Sequence, residues 1–215
     1  MTAQVTQVLL ATRNRGKVRE FRQLVADIPG LQLLTPDDVP GLPEVIEDGD
    51  TFEANACKKA LEIARASGML ALADDSGLEV DALAGRPGVY SARYAGEHAS
   101  DADNNRKLID ELRALALPIE QRTARYRVVL ALAAPTGPLA HNPRLEHGRC
   151  EGRIRLEPSG EGGFGYDPYF EVDGYRCTMA ELAAEEKNRI SHRGQAMAGM
   201  RTYLQWLLQG RAGSL

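Results

Sequence analysis

Ala71-Leu-Ala-Asp74-Asp75-Ser76-Gly77-Leu78 sets an apolar run against two adjacent carboxylates, a small hydroxyl and a glycine. The run suits a short buried strand over residues 70–73, with Asp74 and Asp75 at its end and Ser76-Gly77 as a turn. Two neighbouring acids repel each other and resist burial, so they add little to stability. They suit a hard divalent cation, because Mg²⁺ prefers carboxylate oxygen and brings phosphates with it. A solvated Asp-Ser-Gly turn accounts for the same residues without chemistry.

Working outward, helical and strand patterns alternate, which is the mark of an α/β protein. Residues 5–11 read as a strand, 12–17 as a polar loop, and Val18, Phe21, Leu24 and Val25 recur at helical spacing. Residues 31–34 suit a second strand. Asp50-Thr-Phe-Glu53 resembles a capping box with Asp50 as the cap, opening a helix that stops at Gly68. Residues 79–94 read as loop. Ser100 caps a helix with Leu108, Ile109, Leu112 and Leu115 on its apolar face. Strands are expected over 124–134, 148–157 and 169–172, separated by a loop at 135–146 and a glycine-rich turn at 160–165. Thr178-Met-Ala-Glu181 marks a helix that breaks near Asn188, and a last helix runs from after Ser191 to Gln209.

The 215 residues form one large domain or two intimate lobes, enough chain to bury a substantial core. The formal net charge of −4 gives no global basic excess for a nucleic-acid surface, so any anion must be held by a local pocket. Cys57, Cys150 and Cys177 are far apart and match no zinc spacing, which fits reduced thiols in a cytoplasmic protein. No signal peptide or membrane-spanning run is visible.

Four groups of residues have chemical potential. Thr12, Asn14 and the cations Arg13, Arg15 and Lys17 sit where a loop enters a helix, a ready anion site that is not a Walker A loop. Glu47 precedes the second helix without a local role and is available to join Asp74 and Asp75. In Gly162-Gly-Phe-Gly-Tyr-Asp-Pro168, glycines let backbone approach a ligand and Phe164 suits stacking on a flat base. A hairpin turn with a core Phe is the plainer alternative. Finally, Lys187 ends one helix while His192 and Arg193 begin the next, where a cation opposes the macrodipole.

In this order the motifs resemble the inosine triphosphate pyrophosphatase family, hydrolases of noncanonical purine nucleoside triphosphates. The resemblance rests on Thr12-Arg-Asn-Arg-Gly-Lys17, Thr51-Phe-Glu-Ala-Asn-Ala56, Ala73-Asp-Asp-Ser-Gly-Leu-Glu-Val-Asp81 with Gly88-Val-Tyr-Ser-Ala-Arg-Tyr94, and Gly163-Phe-Gly-Tyr-Asp-Pro168 with Glu186-Lys-Asn-Arg-Ile-Ser-His-Arg-Gly-Gln-Ala196. It covers nearly the whole chain. It implies an α/β fold with a long mixed sheet and flanking helices, forming two lobes around a central cleft within one domain spanning 1–215. It implies Mg²⁺-dependent cleavage of ITP, dITP and XTP to monophosphate and pyrophosphate by a cytoplasmic homodimer, with no nucleic acid or membrane partner.

Carried over by position, Thr12, Arg13, Asn14, Arg15, Gly16 and Lys17 hold the triphosphate. Glu47, Asp75 and nearby Asp74 hold the metal, and Asp75 accepts the proton of the attacking water. Ser76 contacts substrate. Phe164 stacks on the base, and Gly165, Tyr166 and Asp167 complete its pocket. Lys187, His192 and Arg193 recognise the nucleotide. Rival readings are a pyrophosphatase acting on dTTP, UTP or modified pyrimidines, and a non-catalytic nucleotide-binding module. A structural or interaction protein fits least, since the polar clusters lie in loops at element ends.

Overall fold

The computed structural model describes residues 5–212. Residues 1–4, on which the expectation of no signal peptide falls, and 213–215 lie outside that range. Six strands form one mixed sheet in the order β2-β1-β3-β4-β5-β6. They are β1 Thr6–Leu10, β2 Leu31–Leu34, β3 Leu70–Val80, β4 Thr123–Ala133, β5 Arg144–Ile154 and β6 Phe170–Val172. β1 pairs in parallel with β2 and β3, while β5 and β6 run antiparallel. The helices are α1 Arg15–Val25, α2 Phe52–Ser67, α3 Asp101–Ala114, α4 Ala184–Ile190 and α5 His192–Ala212. The α/β class and mixed sheet agree with the sequence expectation. Among the described residues, no helix is long and apolar enough to cross a membrane.

Two compact units divide the chain, and β3, β4 and β5 each pass from one into the other. The first takes in Met1–Asp75, Val129–His147 and Gly194–Leu215. Its core is built from β1 (Val8, Leu9, Leu10), Phe21 of α1, Ile63 of α2 and Met197 and Met200 of α5, all buried. The second takes in Ser76–Val128 and Gly148–Arg193. Its core joins Leu78 and Val80 of β3 to Leu108 and Leu112 of α3, with Ile154 and Phe170 from β5 and β6.

The largest departure from the sequence expectation is β3. It does not end at Asp74 but continues to Val80, so both aspartates lie mid-strand and are buried. Ser76-Gly77 is therefore strand, not turn. Gly77 owes its place to a close approach: a Cβ there would collide with the Gly88 carbonyl oxygen and the Ser91 hydroxyl. Ser91 Oγ in turn accepts from Leu78 N–H and donates to the Gly88 carbonyl.

Smaller differences have local causes. Thr51, not Asp50, caps α2, accepting from Ala54 N–H at 3.1 Å, and Gly68 ends it in the left-handed region as expected. The Thr178–Glu181 box forms, but it closes a 3-10 turn, because Leu182 is extended and α4 starts only at Ala184. Leu115 lies just past the end of α3 and is exposed rather than part of its apolar face. β5 begins at Arg144, taking in the end of the expected loop. Ser100 caps α3 in a full capping box, as its sequence suggests.

The packing at Gly77 has a measurable consequence. Gly77→Ala should destabilise the protein by about 1–3 kcal/mol through overpacking against backbone that has no rotamer to yield. Urea unfolding is the check, and a change below about 0.5 kcal/mol, the range of ordinary surface substitutions, would refute the close-packing account.

Candidate functional site

The first unit gathers acids around buried ammonium groups. α2 turns Phe52, Asn55, Ala56, Lys59, Ala60 and Ile63 toward the interior, so Asn55 and Lys59 sit on an otherwise apolar stripe. Lys59 Nζ donates to Glu47 Oε1 at 2.7 Å and to the Asp74 carbonyl at 2.6 Å, and stands 3.9 Å from Asp75 Oδ1. Asn55 donates to Asp75 Oδ2 at 3.0 Å, and its own Oδ1 accepts from Gly49 N–H at 2.8 Å. That second bond ties the segment after Glu47 to α2.

Asp74 and Asp75 are consecutive in a strand and so point to opposite faces. The Asp74 carboxylate, fully buried, lies 2.8 Å from Lys17 Nζ. Lys17 is placed by the start of α1, where Asn14 Oδ1 caps the helix by accepting Lys17 N–H at 3.1 Å. The two aspartates are thus divided between two lysines. The structure brings Glu47 and Asp75 to Lys59 and sends the Asp74 side chain to Lys17. Among the described residues, no three acidic, His or Cys side chains gather closely enough to share one metal ion.

Electrostatics follow from this geometry. Burial pushes the Asp75 pKa up, and the Glu47 charge adds to it, against the lowering pull of Lys59, Lys17 and Asn55; the balance lies at about 6. Burial works against the charged form of Lys59, but the carboxylates of Asp74, Glu47 and Asp75 outweigh it and raise its pKa. Lys59 is therefore a protonated, fixed cation.

The second unit carries a separate group. Asp167, buried at the end of the glycine-rich loop, accepts from Lys187 Nζ at 2.6 Å, Tyr126 Oη at 3.1 Å and Phe164 N–H at 3.0 Å. A Cβ at Gly163, where φ is +74°, would collide with this carboxylate, so the loop needs glycine there twice over. Burial, then the Asp167 charge, hold the Tyr126 pKa far above its ordinary value, so it stays a donor. Lys187 and Arg193 flank the half-buried Phe164 ring, 5.3 and 5.2 Å from its centroid. His192 stacks on Tyr126 with ring centroids 4.7 Å apart. Arg193 also donates to Ser76 Oγ at 2.8 Å. Tyr166, next in sequence to Asp167, donates its hydroxyl to the Ser91 carbonyl at 2.8 Å.

The Gly165 peptide is gripped from both ends by α3. Asp101 Oδ2 accepts its N–H at 2.8 Å and Asn105 Nδ2 donates to its carbonyl at 2.9 Å. Asp101 and Asn105 are one helical turn apart, so a single helix face fixes the residue beside Phe164.

Sequence reasoning placed Lys17, Asp75, Phe164, Lys187, His192 and Arg193 in chemical groups, and each makes the close contacts described. Arg13 and Arg15 lie exposed at the head of α1. Sequence reasoning passed over Lys59, Asn55, Tyr126, Asp101 and Asn105. Lys59 and Asn55 had a signal, since each interrupts the apolar stripe of α2. The others act across 41 to 64 residues of chain, which no local pattern reveals.

The fold and these groups define an α/β protein with buried acid–lysine pairs in one unit and an aromatic, cation-flanked loop in the other. The chain belongs to the Ham1 family, whose model matches residues 8–203. It is 50% identical over 202 residues to the dITP/XTP pyrophosphatase of Geobacter sulfurreducens, covering 94% of this chain and 98% of that one. It is 53% identical over 191 residues to the dITP/XTP pyrophosphatase of Desulforamulus reducens, covering 89% and 92%. The solved structure of a HAM1 protein from Coxiella burnetii superposes with a TM-score of 0.81 at 40% identity, over 93% of this chain and 98% of that one. The resemblance read from the four motifs is thereby confirmed.

The raised Asp75 pKa has a sign that can be tested in metal-free protein. Unfolded, this carboxyl ionises near 4; folded, near 6. Its ionisation therefore removes stability as pH rises from about 4 through 6. In EDTA at pH 8, Asp75→Asn should be more stable than wild type by about 1–3 kcal/mol, and the gap should shrink toward zero as pH falls to about 4. Equal stability at pH 8 would contradict the desolvation account.

Proposed function

We propose that this protein hydrolyses deaminated purine nucleoside triphosphates (ITP, dITP and XTP) to the monophosphate and pyrophosphate, and that it requires Mg²⁺. One observation carries the reading: Glu47 and Asp75, from different segments, meet at the buried Lys59 ammonium, with Asp75 poised at about pH 6. A buried acid with that pKa is suited to exchanging a proton with water at neutral pH. The printed names of the relatives, dITP/XTP pyrophosphatase, point to the same reaction.

The donor set fits Mg²⁺. Glu47 and Asp75 offer only carboxylate oxygen, the ligand type a hard cation prefers. When held by Glu47 and Asp75, the ion would polarise the phosphate and lower the pKa of a bound water. Asp74 fits a different part, since its carboxylate orients Lys17.

The chain's own residues perform the remaining work. The N–H groups opening α1, with Thr12, Asn14, Gly16, Lys17 and the guanidinium groups of Arg13 and Arg15, hold the phosphate tail and spread its charge. Asp75 accepts a proton from the attacking water as its oxygen bonds to the α-phosphorus. The bond from that phosphorus to the bridging oxygen breaks, and pyrophosphate leaves with the electron pair. Lys59, protonated and fixed, keeps the carboxylates in place and cannot compete as the base.

Base selection belongs to the second unit. Phe164 stacks on the purine ring, with Gly165 and Asp167 shaping the loop around it. Lys187, His192 and Arg193 offer donors, which suit the 6-oxo group of a deaminated purine. A 6-amino group would set donor against donor in a buried place, which gives strong rejection. Ser76, held by Arg193, contacts the substrate beside Asp75 in sequence. A cytoplasmic location accords with free nucleotides as substrate and with three cysteines that are free thiols. We further propose a homodimer; the exposed Trp206 of α5 offers apolar surface for one.

Pyrophosphate release across a panel tests the reading. ITP, dITP and XTP should exceed ATP, GTP and dTTP by at least about 100-fold in kcat/KM, and chelation of Mg²⁺ should abolish release. Equal turnover of dTTP would favour a pyrimidine enzyme, and binding of ITP without release would favour a binding module. Asp75→Asn should lower kcat by about 10²–10⁴-fold with the fold intact by circular dichroism. Unchanged ITP hydrolysis by that variant would remove Asp75 from the mechanism.

A further inference from the structure

α1 carries a cationic stripe that extends beyond the substrate loop through Arg19 and Arg22. Arg15, Arg19 and Arg22 are spaced four and three residues apart, so they share one exposed stripe of the helix. The opposite side is buried through Phe21 and Val25. With Arg13, Thr12 and the segment Thr35-Pro36-Asp37, these arginines line a cavity of about 390 Å³, within the usual range for small-ligand sites.

The stripe is electrostatically unfavourable as it stands. Like charges four apart on a helix repel, and Arg15 meets the positive end of the helix dipole with no acid in the first turn. Several arginines elsewhere are paired: Arg125 with Asp81 and Glu151, Arg155 with Glu171, Arg201 with Asp27. Among the described residues, the guanidinium groups of Arg13, Arg15, Arg19 and Arg22 form no hydrogen bond or ion pair. The Arg22 charge is felt by Asp38, but the hydrogen bonds of the nearby acids go elsewhere. Asp38 accepts from Thr35 N–H at 2.8 Å and from the Thr35 hydroxyl at 2.7 Å, and Asp27 is held by Arg201. Only Asp37 offers a carboxylate in the cavity wall against the four guanidinium groups.

We propose that this cavity is a second oligophosphate site, which takes a di- or triphosphate group in addition to the substrate tail held near Lys17. Guanidinium forks match phosphate oxygens two at a time, and several on one wall suit a chain of phosphates rather than a single carboxylate. The ligand is free pyrophosphate or the tail of a second nucleotide, since both present the same chemistry. The inference rests on the proposed function only through Arg13 and Arg15, which it shares with the substrate loop. Arg19 and Arg22 lie outside that loop and define the new site.

Calorimetric titration of the full chain with sodium pyrophosphate, in EDTA and low salt, provides the test. Wild type should bind pyrophosphate, and Arg19→Ala/Arg22→Ala should weaken or remove one binding event by about tenfold or more, with a shallower salt dependence. Arg19→Lys/Arg22→Lys keeps the charge, guards against a folding artefact and should retain most of the binding. In turnover assays the alanine pair should leave kcat for ITP within about twofold and raise the inhibition constant of pyrophosphate about tenfold. Parallel titration with a non-hydrolysable α,β-imido nucleotide separates the sources: weakening of that ligand alone identifies a nucleotide tail, weakening of both identifies free oligophosphate. Absence of binding of both ligands to wild type, or identical binding of both in the alanine pair, overturns the site. Absence of ITP hydrolysis with Arg19/Arg22-dependent binding intact would instead overturn the proposed function and leave this site standing.

Discussion

A single buried ammonium organises the acidic part of this protein. Lys59 enters from the apolar face of α2 and reaches Glu47, the Asp74 carbonyl and Asp75. Without a cation there, burying those carboxylates would cost several kcal/mol or force them to protonate. With it, Glu47 is drawn from a loop with no regular structure to the strand that carries Asp75. The charge is permanent because the same carboxylates raise the pKa of the lysine. The result is a pair of acids held apart from one another yet close to a common point, with one of them still able to take a proton near neutrality.

The second unit solves a related problem with the polarity reversed. There a buried carboxylate, Asp167, is the hub, and Lys187, Tyr126 and the Phe164 N–H converge on it. The Phe164 N–H belongs to the aromatic loop itself, and Lys187 also lies against the Phe164 ring. The hubs differ in sign: an ammonium among carboxylates in the first unit, a carboxylate among donors in the second. Both depend on a charged group whose burial is compensated by several partners rather than one, which fixes geometry more firmly than a lone ion pair does.

Much of this was legible in the chain. The alternation of strand and helix gave the class, Ser100 marked a helix start and Gly68 a helix end, and the order of four motifs gave the family. What failed did so for identifiable reasons. The Asp-Asp-Ser-Gly run has turn composition, but tertiary packing made it strand, with Gly77 chosen for a close backbone approach. The Thr178 box was real, yet an extended Leu182 kept it to one tight turn. Adjacent aspartates looked like joint metal ligands, but the two-residue period of a strand sends them to different lysines. Lys59 was missed because a lysine within an apolar stripe reads as a blemish until its partners, 12 to 16 residues away, are seen.

The grip of α3 on Gly165 bears on how base preference changes in evolution. Phe164 is anchored through a neighbour whose amide and carbonyl are both clasped by one helix face. Any shift or rotation of that helix would carry the Phe164 ring with it. Mutations on the outer turns of α3 therefore have a mechanical route to move Phe164, and, on the proposed function, to retune which heterocycle is admitted. Divergence of specificity among relatives need not be written in the residues that line the pocket.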